Sequence, residues 1–361
     1  MWRLRAVRSC RYPQRIEAAH GAAEVVAGAP RMSTPWSRSG DGGASRWSPA
    51  RRARIAPAVV RSRPMTEVEA LIRAGKLDQA IELAKNHLAA ARERDEPATL
   101  AAALVDEARA ELAHGDRDLA VMTVDEAISR TRRAHGARDP RHAEALELGA
   151  EIAARADMPN SAEARFRSAV EILEGLSVVG APLLHTLLRH GCFRATRGDV
   201  AAAARAFLAV IARGRELSDP ESLENVAGAF TELGELALAE RRAAEARALG
   251  DRALEIWLAL GRARRSEVAD GMALVGRAAL DEGDATAAVG FLEPACEIYR
   301  GVVQADRVRR AAAARGLAAA LDACGRVAEA QVAYRAALDL YREGADERLE
   351  IEQRLLELAR R

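Results

Sequence analysis

Small and large apolar residues recur along this chain with one long period. Taking the turn residue between paired helical stretches as an anchor, Gly75, Gly115, Asp157, Gly198, Arg241, Gly283 and Gly325 follow one another at spacings of 40, 42, 41, 43, 42 and 42 residues. Five positions after each anchor stands an alanine: Ala80, Ala120, Ala162, Ala203, Ala246, Ala288 and Ala330. Nine after it a larger residue recurs (Val124, Phe166, Phe207, Leu292, Tyr334), with Ala84 and Gly250 as exceptions. Twelve after come His87, Ala127, Ala169, Val210, Ala253, Ala295 and Ala337, and the thirteenth position is apolar throughout. Seven before the anchor the residue is small (Ala108, Ala150, Gly191, Gly234, Gly276, Ala318), Val68 excepted.

Offsets of 5, 9, 12, 13 and 16 share one face of an α-helix. Each unit therefore reads as a helix, a short turn and a second, antiparallel helix. Alanine at fixed points lets two backbones approach closely, and a large residue four positions on fills the neighbouring gap. Neither helix buries its apolar stripe alone, so units must stack. The expected fold is all-α: a solenoid of about seven antiparallel helical hairpins over residues 65–343. Thr66-Glu67-Val68-Glu69 reads as a capping box that opens the first helix. Residues 344–361, with Leu349, Ile351, Leu355, Leu356 and Leu358 among charges, read as an amphipathic capping helix with a polar outer face.

The small residue, the seven-residue step, the glycine turn and the residues at +5, +9 and +12 resemble the tetratricopeptide repeat (TPR), most cleanly over Cys324–Leu338. The 42-residue period is similar to the long repeats of kinesin light chains and their bacterial relatives, and residues 135–142 resemble the linker between such units. Asp157-Met158-Pro159 departs from the glycine turn. The resemblance implies a right-handed superhelix that acts as a protein-binding scaffold, not an enzyme, with a peptide or protein segment held along its concave groove. By register, groove positions lie 13, 10, 6 and 3 before each anchor. They include Arg109, Glu144, Glu147, Glu151, His185, Cys192, Thr231, Glu235, Asp270, Arg277, Arg315 and Asp322. Arginines there are expected to fork onto carboxylates of a bound segment. The lysines and asparagines with which cochaperone and kinesin-type grooves hold their ligands are not matched, so neither kind of partner carries over.

Composition narrows the picture further. Apolar residues make up 49% of the chain but aromatics only 4%, so alanine dominates the interior. Lysine occurs only at Lys76 and Lys85 among 54 basic residues, a bias that suggests a high-GC, bacterial genome. No run of 18 apolar residues is present, and Cys10, Cys192, Cys296 and Cys324 show no paired spacing, which fits a reducing cytoplasm. Charge divides the chain in two. Residues 1–64 hold thirteen arginines against Glu17, Glu24 and Asp41, a net of +10, and the remainder has a net of −9. That first segment has no apolar period and is expected to be disordered. It reads as a nucleic-acid-binding arm, an Arg-rich targeting peptide, or sequence upstream of a true start at Met65. The last is favoured because the helical pattern begins at Met65.

No phosphate loop, zinc signature or nucleophile elbow appears, and no cofactor is expected. His185, His190 and Cys192 are the nearest approach to a metal-ligating group, but a spacing of five positions turns the two histidines about 140° apart on a helix. His135 and His142 flank a linker and read as solvated. Cys296 and Cys324 fall on packed columns, and Trp257, Tyr299 and Tyr341, all sixteen after their anchors, read as core filling between units. The leading functional reading is a cytoplasmic bacterial scaffold in signalling or regulation. The alternatives are a repeat partner of a separate kinase or transcription regulator, and a nucleic-acid-associated protein acting through residues 1–64. No membrane association is expected.

Overall fold

The computed structural model describes residues 65–361 apart from 95, 177–179, 262–264, 303–305, 343–344 and 361. The expectations made for residues 1–64 lie outside these. Among the described residues there are fifteen α-helices and no strand. Seven hairpins follow in order: α1 (Glu67–Arg73) with α2 (Leu77–Arg94), α3 (Pro97–His114) with α4 (Arg117–His135), α5 (Pro140–Arg155) with α6 (Pro159–Gly175), α7 (Ala181–Thr196) with α8 (Val200–Gly214), α9 (Pro220–Ala239) with α10 (Ala243–Leu260), α11 (Arg265–Asp281) with α12 (Ala285–Arg300), and α13 (Arg307–Ala323) with α14 (Val327–Leu338). A last helix, α15 (Asp346–Leu358), covers α14. Each helix packs on the one before and the one after it, which makes the molecule an all-α solenoid.

All seven anchors adopt the left-handed conformation, from φ 58° at Asp157 to 107° at Gly115. The next residue's N–H then bonds the carbonyl four before the anchor, as in Lys76 to Leu71, Asp116 to Glu111, Arg242 to Ala237 and Arg326 to Leu321. This is the Schellman closure of a helix end. Glycine enters that region without a Cβ clash. Asp157 and Arg241 (φ 62°) enter it with one, and Asp is the better tolerated of the two. The capping box forms as expected: the Thr66 hydroxyl accepts from the Glu69 N–H, and the Glu69 side chain accepts from the Thr66 N–H.

The alanine column at +5 is wholly buried, 0% exposed in all seven hairpins. At Gly191 an added Cβ would lie 2.5 Å from the Phe207 ring, and at Gly276 it would lie 2.6 Å from Leu292. The small column at −7 thus makes room for the large residue at +9 of the same hairpin. The fifth hairpin breaks the pattern with glycine at both places. Leu274 of the next hairpin fills that socket, 2.5 Å from a Cβ built on Gly234 and 3.1 Å from one on Gly250.

Four expectations need correction. His87, at the +12 position, is exposed, although Ala80, Ala84, Leu88 and Ala91 of the same helix are buried in register. His142 is not in a solvated linker: Asp139 caps α5, Pro140 opens it, and His142 is buried in its first turn near the Thr131 hydroxyl. Cys324 is exposed at the end of α13, not packed. The outer face of α15 carries exposed Leu349 and Leu356 beside its charges, while Ile351 and Leu358 are buried inward.

Replacing Arg241 by glycine removes the left-handed strain and is expected to stabilise the fold by about 1 kcal/mol, with a smaller gain for Asp157→Gly. Urea unfolding checks both. Ala246→Phe places a ring where no space exists and is expected to cost about 1–3 kcal/mol in the same assay.

Candidate functional site

First helices touch not only their hairpin mates but also one another, α1 with α3, α3 with α5, α7 with α9, α9 with α11 and α11 with α13; no two second helices meet to that extent. The array therefore bends toward its first helices, which line the inner face. The side chains along that face are charged, half-buried and paired across neighbouring hairpins.

Two arginines each tie three first helices together. Arg109 of α3 reaches Glu69 of α1 (2.6 Å) and Glu144 of α5 (3.2 Å), with Asp106 beside it at 3.4 Å. Arg309 of α13 reaches Asp270 of α11 (3.3 Å) and, 77 residues away in sequence, Glu232 of α9 (2.5 Å). Between them lie pairwise links. His185 meets Glu147 (3.1 Å) and Asn225 (3.3 Å), Arg189 meets Glu151 (2.5 Å), and Arg277 donates to both oxygens of Glu235 (2.8 and 3.1 Å). The ladder ends at the cap, where Arg315 pairs with Glu350 (3.3 Å) and Arg354 with Asp322 (2.6 Å). Half-exposed pairs of this kind contribute about 0–1 kcal/mol each, so their effect lies more in setting the spacing of the helices than in stability.

Asp270 has the most perturbed surroundings. The Tyr299 hydroxyl, from α12, donates to it at 2.5 Å. Burial pushes the Asp270 carboxyl up to about 6 against the pull of Arg309 and Tyr299, and nearby Glu235 and Glu232 add to the rise. At His185 burial opposes the charged form, but Glu147 outweighs it and the imidazole shifts upward. Burial lowers His190, which stacks on Phe166 (centroids 5.2 Å apart) and meets Glu163 at 2.8 Å. No cluster of three or more His, Cys, Asp and Glu that could hold a metal ion occurs among the described residues, and His185 and His190 point to different carboxylates.

Of the residues expected in the groove, Arg109, Glu144, Glu147, Glu151, His185, Glu235, Asp270, Arg277, Arg315 and Asp322 fall on this ladder. Cys192 is half-buried on α7, one turn beyond Arg189. Thr231 is a correction: it is 4% exposed and its hydroxyl donates to the Ala227 carbonyl of its own helix, while Glu232 takes the outward place. The arginines are engaged with the protein's own carboxylates, not held open for a ligand's. Arg189, Glu232, Arg309 and Asn225 were missed, although Arg309 and Asn225 both stand sixteen before their anchors, one turn beyond the register used. Tyr299 and Trp257 are buried, as core filling requires.

The pH dependence follows from Asp270. Its folded-state value lies above its ordinary value of 3.8, so the stability tied to its protonated form is complete below about 3.8 and is lost as pH rises toward about 6. Asp270→Asn lacks this contribution. The stability of the wild type relative to that variant is expected to fall between pH 4.5 and pH 7, as measured by urea unfolding at each pH.

No family model matches the chain, and no curated protein matches it. Solved structures do share its fold. The Cut9–Hcn1 hetero-tetramer of the APC/C overlaps at a TM-score of 0.58 and 15% identity, over 80% of this chain and 48% of that one, so this chain spans about half of that neighbour's length. BtubC (BKLC) from P. vanneervenii overlaps at 0.51 and 18% identity, over 65% and 92% of the two chains. The apo quorum sensor NprR from B. thuringiensis overlaps at 0.52 and 10% identity, over 76% and 85%. No described helix is long and apolar enough to cross a membrane. Left-handed turns at a 42-residue period, a buried alanine column and these overlaps make the chain a tetratricopeptide-like helical-repeat solenoid.

Proposed function

We propose that this protein is a non-catalytic scaffold whose inner face binds a peptide or protein segment. The observation that carries the reading is the inner face itself: one line of half-exposed polar and charged side chains runs across all seven hairpins, where an extended ligand could meet successive first helices. Ligand contacts would add to the ladder's outer edges at Glu147, Glu151, His185, Arg277 and Arg315, and exposed small residues at Ala102 and Ala154 leave space beside it. The fold neighbours support a role in assembly, since Cut9 forms a hetero-tetramer with Hcn1 and NprR is a quorum sensor. Two of them come from P. vanneervenii and B. thuringiensis. Together with the arginine-over-lysine bias, we place the protein in a bacterial cytoplasm, in signalling or regulation.

Capture from host lysate with the full chain as bait tests this, beside an Ala102→Trp/Ala154→Trp bait that fills the groove while every ion-pairing residue is kept. A protein retained by the first bait and lost by the second is the expected result. Equal capture by both would move binding to the second helices or the linkers and overturn the groove reading.

A further inference from the structure

The seven hairpins are not joined alike. First helices of hairpins one to three lie close against one another, as do those of hairpins four to seven, but α5 and α7 of the third and fourth hairpins do not approach to that extent. The contact of α6 with α7 is also the slightest between consecutive hairpins. The two three-helix arginine links fall on either side: Arg109 binds α1, α3 and α5, and Arg309 binds α9, α11 and α13. Neither crosses the joint between α5–α6 and α7–α8.

Long polar side chains cross it instead. Glu147 of α5 accepts from the Thr186 hydroxyl and meets His185 of α7. Glu151 of α5 meets Arg189 of α7. Glu163 of α6 takes both His190 (2.8 Å) and Arg194 (2.6 Å) of α7, and Glu174 of α6 takes Arg213 of α8 (2.7 Å). Four glutamates on one side thus face one hydroxyl, two histidines and three arginines on the other. Ala169 and Leu173 of α6 share a core with Leu183, Leu184 and Leu187 of α7, so the joint keeps an apolar pivot.

We propose that this joint is the hinge of the solenoid, an apolar pivot latched by the four glutamates, about which two stiff blocks (hairpins one to three and four to seven) change their mutual angle. Half-exposed charge pairs such as Glu163–Arg194 and Glu174–Arg213 break and reform at small cost and are screened by salt, whereas the buried alanine contacts within each hairpin resist any change of spacing. Hinge motion about a few residues between rigid blocks is a recurrent way for a groove to adjust its width.

Small-angle X-ray scattering of the full chain tests the hinge. Glu147→Gln/Glu151→Gln/Glu163→Gln weakens the latch, and Glu235→Gln removes one comparable pair inside the second block. The triple variant is expected to show a larger radius of gyration and maximum dimension than the wild type, with helical content by circular dichroism unchanged, while Glu235→Gln matches the wild type. A triple variant that scatters like the wild type, or a control that expands as much, would overturn the proposal. Should the triple variant lose helix, the wild type alone decides. Raising salt from low to high concentration expands a latched hinge and leaves a uniformly stiff solenoid unchanged.

Discussion

Everything in this molecule depends on how closely the two helices of a hairpin approach. A left-handed residue reverses the chain, and five residues later an alanine with no exposed surface lets the second backbone settle against the first. Repeated at nearly constant spacing, that contact puts each helix in the same relation to its neighbours. Curvature, inner face and groove all follow from it. The few exceptions show the same constraint from the other side. Where the fifth hairpin lacks a large residue at Gly250, the space is not left empty but taken by Leu274 of the next hairpin. Close packing is conserved even where the pattern is not.

The inner face obeys a second constraint. Charged side chains brought together by stacked helices must find partners, because even half-buried charges lose much of their hydration. Here they find one another. Glu69, Arg109 and Glu144 span three hairpins, and so do Glu232, Asp270 and Arg309. Asp270 shows the cost: it is buried beside two further carboxylates, and its affinity for a proton rises accordingly. The ligand we propose for this groove would meet a surface already neutralised in part by its own pairs, so its binding would exchange contacts, not simply add them.

The hairpin fold was legible in the sequence because it rests on residues at fixed distances from a turn. Asp157 and Arg241 were placed in register by spacing alone, though neither is the glycine a left-handed turn favours. What spacing could not supply was rotation. One position along a helix turns a side chain by about 100°, which exchanged Thr231 for Glu232. His142 was misplaced for a nameable reason: Asp139-Pro140 is a cap followed by a first-turn proline, so the helix begins before His142. The pairing of groove charges was out of reach, since partners 32 to 77 residues apart are chosen by the stacking and not by local pattern.

The central claim is that each unit between successive anchors is a complete module, held by the same turn and the same alanine contact as every other. Deleting residues 284–325 tests it most directly. Gly283 then precedes Arg326, the left-handed turn is retained, and Ala330 arrives five positions after it. The account predicts a folded, shorter helical array that melts cooperatively, with helical signal reduced in proportion to the 42 residues removed. A chain that loses its helix altogether would contradict it, for the fold would then rest on contacts that reach beyond neighbouring hairpins.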